Sequence, residues 1–213
     1  MLSMNDATKN GILYVVSGPS GAGKSSIIKK ALQSVQGFSY SVSFTTRPMR
    51  PDETDGIDYF FVDNTGFDEI IKKNDFLEWA NVHGYRYGTS KSHVEKKLDE
   101  GYNIILDVDV QGAVNIKNVM PERTVTIFVA PPSYDDLSRR LSQRATENER
   151  DLKKRLEDAK AELAKIPYFD YLIVNSVLAE SISQLISIII AEQLKVKRVA
   201  EHLGQYTFFR NNP

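Results

Sequence analysis

Apolar residues fall along this chain in short blocks separated by longer amphipathic stretches. Residues 12–16, 103–108, 124–129 and 171–174 are each too short for a stable helix and rich in β-branched or aromatic side chains. Such blocks read as strands buried on both faces. Helical spacing fills much of what lies between, over 25–32, 114–119, 134–144, 149–165 and 181–199. Apolar strands alternating with helices predict an α/β fold, a parallel sheet with helices on both faces.

Two stretches break this alternation. Residues 38–93 are rich in aromatic residues, Thr, Ser and Gly, with strand-like pieces at 40–44, 59–62 and 76–82 and a helix near 67–73. They read as a small mixed α/β insertion. Residues 138–164 form an arginine-rich helix pair around Thr146-Glu147-Asn148-Glu149, where Thr146 and Glu149 fit a capping box. Pro131-Pro132 and Pro167 bracket that pair. The chain thus divides into core segments 11–37, 94–132 and 166–192, an insertion at 38–93, a helical segment at 133–165, and a helix end and tail at 193–213. The last helix either packs on the core or offers a contact to a second copy of the chain.

Composition narrows the function classes. A 41% hydrophobic and 26% charged chain of 213 residues is ordinary for a globular protein with a real core. It has no cysteine, hence no disulfide framework and no thiolate metal site, which suits a reducing cytoplasm. Residues 1–10 lack the apolar core of a signal peptide, and the apolar runs fall far short of a membrane span. A net charge of −1 argues against a nucleic-acid partner. The basic residues do crowd locally: Arg139, Arg140, Arg144, Arg150, Lys153, Lys154 and Arg155 make either a solvated helix face or a second phosphate-contacting surface.

The phosphate chemistry itself is written in Gly18-Pro19-Ser20-Gly21-Ala22-Gly23-Lys24-Ser25, which fits the phosphate-loop pattern at every fixed position. A strand leads in and a helix beginning Ser25-Ser26 leads out, so backbone N–H groups and the helix dipole converge on an anion. Lys24 is expected against the β- and γ-phosphates of a nucleotide, and the Ser25 hydroxyl on Mg²⁺. Asp107 and Asp109 close a core strand, where each either holds the metal, directly or through water, or caps the next helix. Arg47 and Arg50 flank a proline, as a fork for a phosphate dianion or as surface ion-pair partners. Tyr59 and Tyr87 read as half-buried packing residues and Trp79 as core. Glu78 lies in an apolar strand and needs a partner there, either a basic side chain or the paired donors of a guanine edge. His83 is expected to be structural or exposed.

Taken together these motifs resemble guanylate kinase. The resemblance is carried by Ser17 to Ser25, Ser43 with Thr45-Thr46-Arg47-Pro48 and Arg50, Gly56 with Asp58-Tyr59-Phe60-Phe61, Phe76-Leu77-Glu78, Tyr87-Gly88-Thr89-Ser90, Leu106 to Gly112, and Pro131-Pro132-Ser133. It implies a P-loop core, a GMP-binding insertion, a mobile lid at 133–165, and transfer of the ATP γ-phosphoryl group to GMP. It further implies that Glu78 accepts from guanine N1 and N2. Ser43 and Thr89 would hold the base, and Asp109 would contact it. Arg47, Arg50, Tyr59 and Tyr87 would grip the GMP phosphate. Arg140, Arg144 and Arg155 would reach the transferred phosphate, and Asn175 would lie near adenine. The sequence departs from the family at Ala145, where glycine usually follows the lid arginine, and at Ser176, where aspartate is commoner after Asn175. A phosphopeptide-binding scaffold module is the rival reading, and the intact Lys24, Ser25 and lid arginines count against it.

Overall fold

In the computed structural model, which describes residues 11–39, 41–82, 84–142 and 149–199, strand β1 (Leu13–Ser17) is buried along its whole length. Its side chains alternate between two cores. Tyr14 and Val16 join Ile127 and Val129 on one face, under Ile27 and Ala31 of helix α1 (Lys24–Leu32) and Leu185 and Ile189 of α7 (Leu178–Gln193). Leu13 and Val15 join Ile104 and Leu106 on the other, under Val94 and Leu98 of α3 (Lys91–Asp99) and Ala113 and Ile116 of α4 (Val110–Val119).

The core sheet is the expected parallel one. Its strands run in the order β2 (Phe38–Ser39), β7 (Asn103–Asp107), β1, β8 (Thr124–Ala130) and β9 (Tyr171–Val174). All four neighbouring pairs are parallel. The insertion carries its own sheet, ordered β4 (Tyr59–Phe61), β3 (Ser43–Thr45), β6 (Tyr85–Ser90) and β5 (Phe76–Val82). Helix α2 (Asn64–Lys72) packs Phe67 against Phe76 with ring centroids 4.5 Å apart.

Several boundaries move for identifiable reasons. Residues 38–39 pair with β7 in the core sheet, so the chain enters the insertion after them rather than at 38. Strand β6 and helix α3 were not legible. The former is polar and the latter buries only Val94 and Leu98. Helix α4 starts four residues early because Asp109 caps it, accepting from Gly112 N at 2.6 Å. The last helix is not continuous to 199. It ends at Gln193 and a short α8 (Val196–Val199) follows. Trp79 is 45% exposed, not core, and lays one edge on Phe67. In the helix pair, α5 (Tyr134–Ser142) packs Leu137 and Leu141 on Leu156 and Ala159 of α6 (Glu149–Leu163). The expected capping box at Thr146, together with Arg144, His83 and the tail after 199, lies outside the described residues.

The return from insertion to core is tightly tied. Asp75 accepts from Ser92 N at 2.8 Å, Ser92 Oγ at 2.8 Å and Ser90 Oγ at 3.0 Å, while its carbonyl accepts from Lys91 N at 2.8 Å. Ser90 in turn caps α3. Among the described residues no helix is long and apolar enough to cross a membrane.

Leu98 is fully buried between α3 and the sheet. Leu98→Ala should lower the unfolding free energy by about 2–5 kcal/mol, read as a fall in urea midpoint at constant m-value.

Candidate active site

The loop between β1 and α1 is shaped by backbone crowding. Gly18 has φ +134°, and a Cβ there would lie 2.1 Å from the Val129 carbonyl oxygen. Gly23 has φ +93°, and its Cβ would lie 2.4 Å from Asn175 Nδ2. Only glycine tolerates both the conformation and the contact. The tip at Gly21 is in reach of Leu137 and Leu141 of α5, at 3.2 Å from each for a Cβ placed there. Pro19 O accepts from Ala22 N at 3.1 Å and closes the turn. Helix α1 then starts at Lys24, so its first N–H groups open onto the loop.

The polar groups of this loop meet the end of β7. Lys24 Nζ donates to Gly18 O at 2.6 Å and lies 4.0 Å from Asp107 Oδ1. Ser25 Oγ donates to Asp107 Oδ2 at 2.9 Å. The two aspartates therefore divide the roles left open by sequence: Asp107 faces Ser25 and Asp109 caps α4. A hydroxyl and a carboxylate beside a phosphate cradle suit Mg²⁺, which takes few protein oxygens and completes its shell with phosphate and water. Among the described residues no cluster of three or more His, Cys, Asp or Glu forms a closed metal cage. Ser20, Ser26 and Lys24 line a hollow of about 400 Å³ with Glu162 of α6 as its far wall. Burial pushes the Glu162 carboxyl above its usual range. Sequence analysis gave Glu162 no role, since its approach to Lys24 depends on how α6 folds back.

Asn175, expected near adenine, is buried. Its Nδ2 donates to Ala22 O at 2.7 Å and its Oδ1 accepts from Ser181 Oγ at 3.0 Å. Both ends of the amide thus make bonds within the protein. Its side chain braces the phosphate loop. Its carbonyl accepts from Arg140 Nη2 at 2.9 Å, which holds α5 against the loop. Arg140, Asn175, Gly21, Gly23 and Ser26 line a further hollow of about 380 Å³. Arg155 is half-buried on α6.

The insertion brings together the second group of predicted residues. Ser43, Tyr59, Glu78, Tyr87, Thr89 and Asp109 all line one cleft of about 1080 Å³. Glu78 is half-buried, and its Oε1 accepts from Thr89 Oγ1 at 2.7 Å. Among the described residues no lysine or arginine forms an ion pair with it. Burial raises its carboxyl pKa, and the Asp109 charge nearby adds to this. Tyr59 and Tyr87 meet edge-on at 5.9 Å. Arg47 stands over the Tyr59 ring at 5.5 Å, with its Nη2 on Glu53 Oε1 at 2.5 Å. Arg50 is exposed, and neither it nor Arg47 is among the residues that line the cleft. The phosphate-loop hollow and this cleft share Ser25, Asp107, Val108 and Asp109 as common wall.

Comparison with known proteins agrees with this arrangement. The family model for guanylate kinase matches residues 10–192. The chain is 47% identical over 196 residues to a guanylate kinase of Thermotoga maritima, covering 92% of this chain and 94% of that one. It is 42% identical over 193 residues to one from Thermus thermophilus, covering 91% and 87%. Its fold matches the crystal structure of guanylate kinase from Anaplasma phagocytophilum with a TM-score of 0.70 at 32% identity, covering 95% and 97%.

Asn175→Ala would leave the buried Ala22 carbonyl without its side-chain donor and the Ser181 hydroxyl with Val177 O alone. A stability loss of about 1–3 kcal/mol is expected by chemical denaturation. ATP affinity should fall with it, because the loop loses its brace.

Proposed function

The chain belongs to the guanylate kinase family, and on that footing we propose how its residues divide the work of moving the γ-phosphoryl group of ATP to GMP. The enzyme is an ATP:GMP phosphotransferase giving ADP and GDP. Lys24 and the N–H groups of the loop from Gly18 to Ser26 grip the β- and γ-phosphates. The nucleoside of ATP lies toward the hollow of Arg140 and Gly23, walled but not read by Asn175. Ser25 and Asp107 would hold Mg²⁺, which when bound neutralises phosphate charge.

GMP enters the cleft of the insertion. Glu78 accepts from N1 and N2 of guanine, Thr89 and Ser43 steady the base, and Asp109 lies beside its amino group. Arg47, Arg50, Tyr59 and Tyr87 take the phosphate. Two polyanions must then approach head-on. Lys24, Arg47, Arg50 and the lid arginines Arg140, Arg144 and Arg155 offset their repulsion, most strongly where charge spreads over the transferred group. No covalent enzyme intermediate is needed, because positioning and electrostatics account for the step. Closure of α5 and α6 over the loop excludes water, the competing acceptor. The reading rests above all on the common wall of Ser25, Asp107 and Asp109, which puts a phosphate cradle and a carboxylate-bearing base pocket end to end. No group reads a 2′-hydroxyl in this scheme, so dGMP is a substrate as well. A cytoplasmic setting is part of this reading, and the cysteine-free composition suits a reducing compartment.

A coupled assay with ATP, Mg²⁺ and each nucleoside monophosphate should give turnover with GMP and dGMP. AMP should be poorer by about 10⁴-fold, since its ring nitrogen would face the Glu78 carboxylate with a lone pair. Comparable rates with AMP would overturn the base assignment. Glu78→Gln should raise the KM for GMP on the order of 10²-fold and leave that for ATP within about threefold.

The pH dependence has a definite sign. The Glu78 pKa is raised, so as pH falls the carboxylate gains a proton above the ordinary carboxylate range. A protonated carboxyl offers a donor where guanine also offers donors. The KM for GMP should therefore rise as pH falls through that raised pKa, and Glu78→Gln should flatten the profile.

A further inference from the structure

We infer that Glu53 is a positioning residue for the phosphate of the acceptor nucleotide: it fixes both arginines of the Arg47–Arg50 pair in a binding-ready arrangement. The inference rests on the reading of Arg47 as a phosphate-gripping residue.

The geometry around Glu53 is unusually complete for a loop carboxylate. Its Oε1 takes Arg47 Nη2 at 2.5 Å and its Oε2 takes the backbone N–H of Arg50 at 2.8 Å. Its own N–H donates to Arg50 O at 3.1 Å, so the turn is closed in both directions. Both side chains of the ion pair are only 12% exposed, unlike the surface pairs elsewhere in the chain. A long arginine on a loop ordinarily samples many rotamers, and a phosphate must collect the guanidinium from that ensemble. Here the ordering is done beforehand. Arg47 Nη1 donates to Pro48 O at 2.7 Å, and the guanidinium lies beside the Tyr59 and Phe61 rings, 5.5 and 5.7 Å from their centroids. The Arg47 guanidinium is held still more firmly charged by Glu53 first and by the Tyr87 hydroxyl after it. The Glu53 carboxyl is pulled down by Arg47 and stays ionised wherever Glu78 titrates.

A carboxylate so near a phosphate site might be expected to repel the ligand. Its charge is already spent on Arg47 and on a backbone N–H, and the remaining guanidinium N–H groups are free to be aimed by that anchor. The division of labour is that Glu53 orients and Arg47 binds. The pattern also gives Arg50, whose side chain is exposed, a fixed backbone from which to reach inward.

The test compares GMP with guanosine, which lacks the phosphate, by titration calorimetry on the full chain and on Glu53→Gln, Glu53→Asp and Arg47→Ala. Glu53→Gln should weaken GMP binding about 10- to 100-fold while guanosine changes by less than about twofold. Glu53→Asp, which keeps the charge on a shorter arm, should fall between, and the KM for ATP should not move. The GMP-to-guanosine affinity ratio belongs to the folded fraction, so a partly unfolded variant still gives an answer. An equal loss of GMP and guanosine would make Glu53 a mere staple of the insertion and overturn the inference. If Arg47→Ala loses GMP selectively and Glu53→Gln does not, the inference falls alone. If Arg47→Ala is also without effect, the phosphate role of Arg47 falls with it.

Discussion

At the end of β1 the chain passes so near the Val129 carbonyl that residue 18 can carry no side chain. This single crowded crossing fixes the phosphate loop against β8. From it follow the direction of α1, the meeting of Ser25 with Asp107, and the seat of α5 on the loop tip. The loop is therefore not a flexible glycine segment that folds around an anion. It is a rigid backbone surface whose N–H groups are aimed before any ligand arrives. Its rigidity is shared between neighbours: the β8 backbone below, the Asn175 amide behind and the α5 leucines above.

Charge is distributed in a matching way. The nucleotide end of the site is cationic and oriented by carbonyls and carboxylates, as Lys24 is by Gly18 and Arg47 is by Glu53. The insertion's cleft is anionic, with Glu78 half-buried near the Asp109 charge and accepting from Thr89 Oγ1. Two carboxylates this close destabilise one another unless a donor arrives. A guanine edge brings two such donors together. On the proposed reading, the repulsion between the two carboxylates would become selectivity for such a base.

Much of this was legible in the sequence, and the failures are informative. Strands 12–16 and 124–129 were readable because burial on both faces leaves an unbroken apolar run; strand 171–174 was readable as an apolar run too, although only Ile173 is buried and Leu172 and Val174 are exposed. Strand β6 was not, because Tyr85 to Ser90 carries no aliphatic residue, even though Gly88, Thr89 and Ser90 are buried. Helix α3 hid for a similar reason, with two buried residues in nine. The phosphate-loop motif is local and declares itself. The functions of Asn175, Glu162 and Glu53 depend on which distant or looped-back groups they meet, and no spacing rule encodes that. Asn175 shows this most plainly: its place after a core strand says nothing of the bonds its amide makes to Ala22 and Ser181.

That amide also bears on how the protein comes into being. The bond from Asn175 to Ala22 spans 153 residues, and the Val129 carbonyl that confines Gly18 is itself far along the chain. A ribosome-bound chain that has emitted its glycine motif, its first helix and even its whole insertion still lacks the walls that hold the cradle in shape. Nucleotide affinity must therefore appear late and abruptly, once long-range closure is complete. Capture of ATP on an immobilised ligand would in consequence report finished molecules and pass over nascent ones.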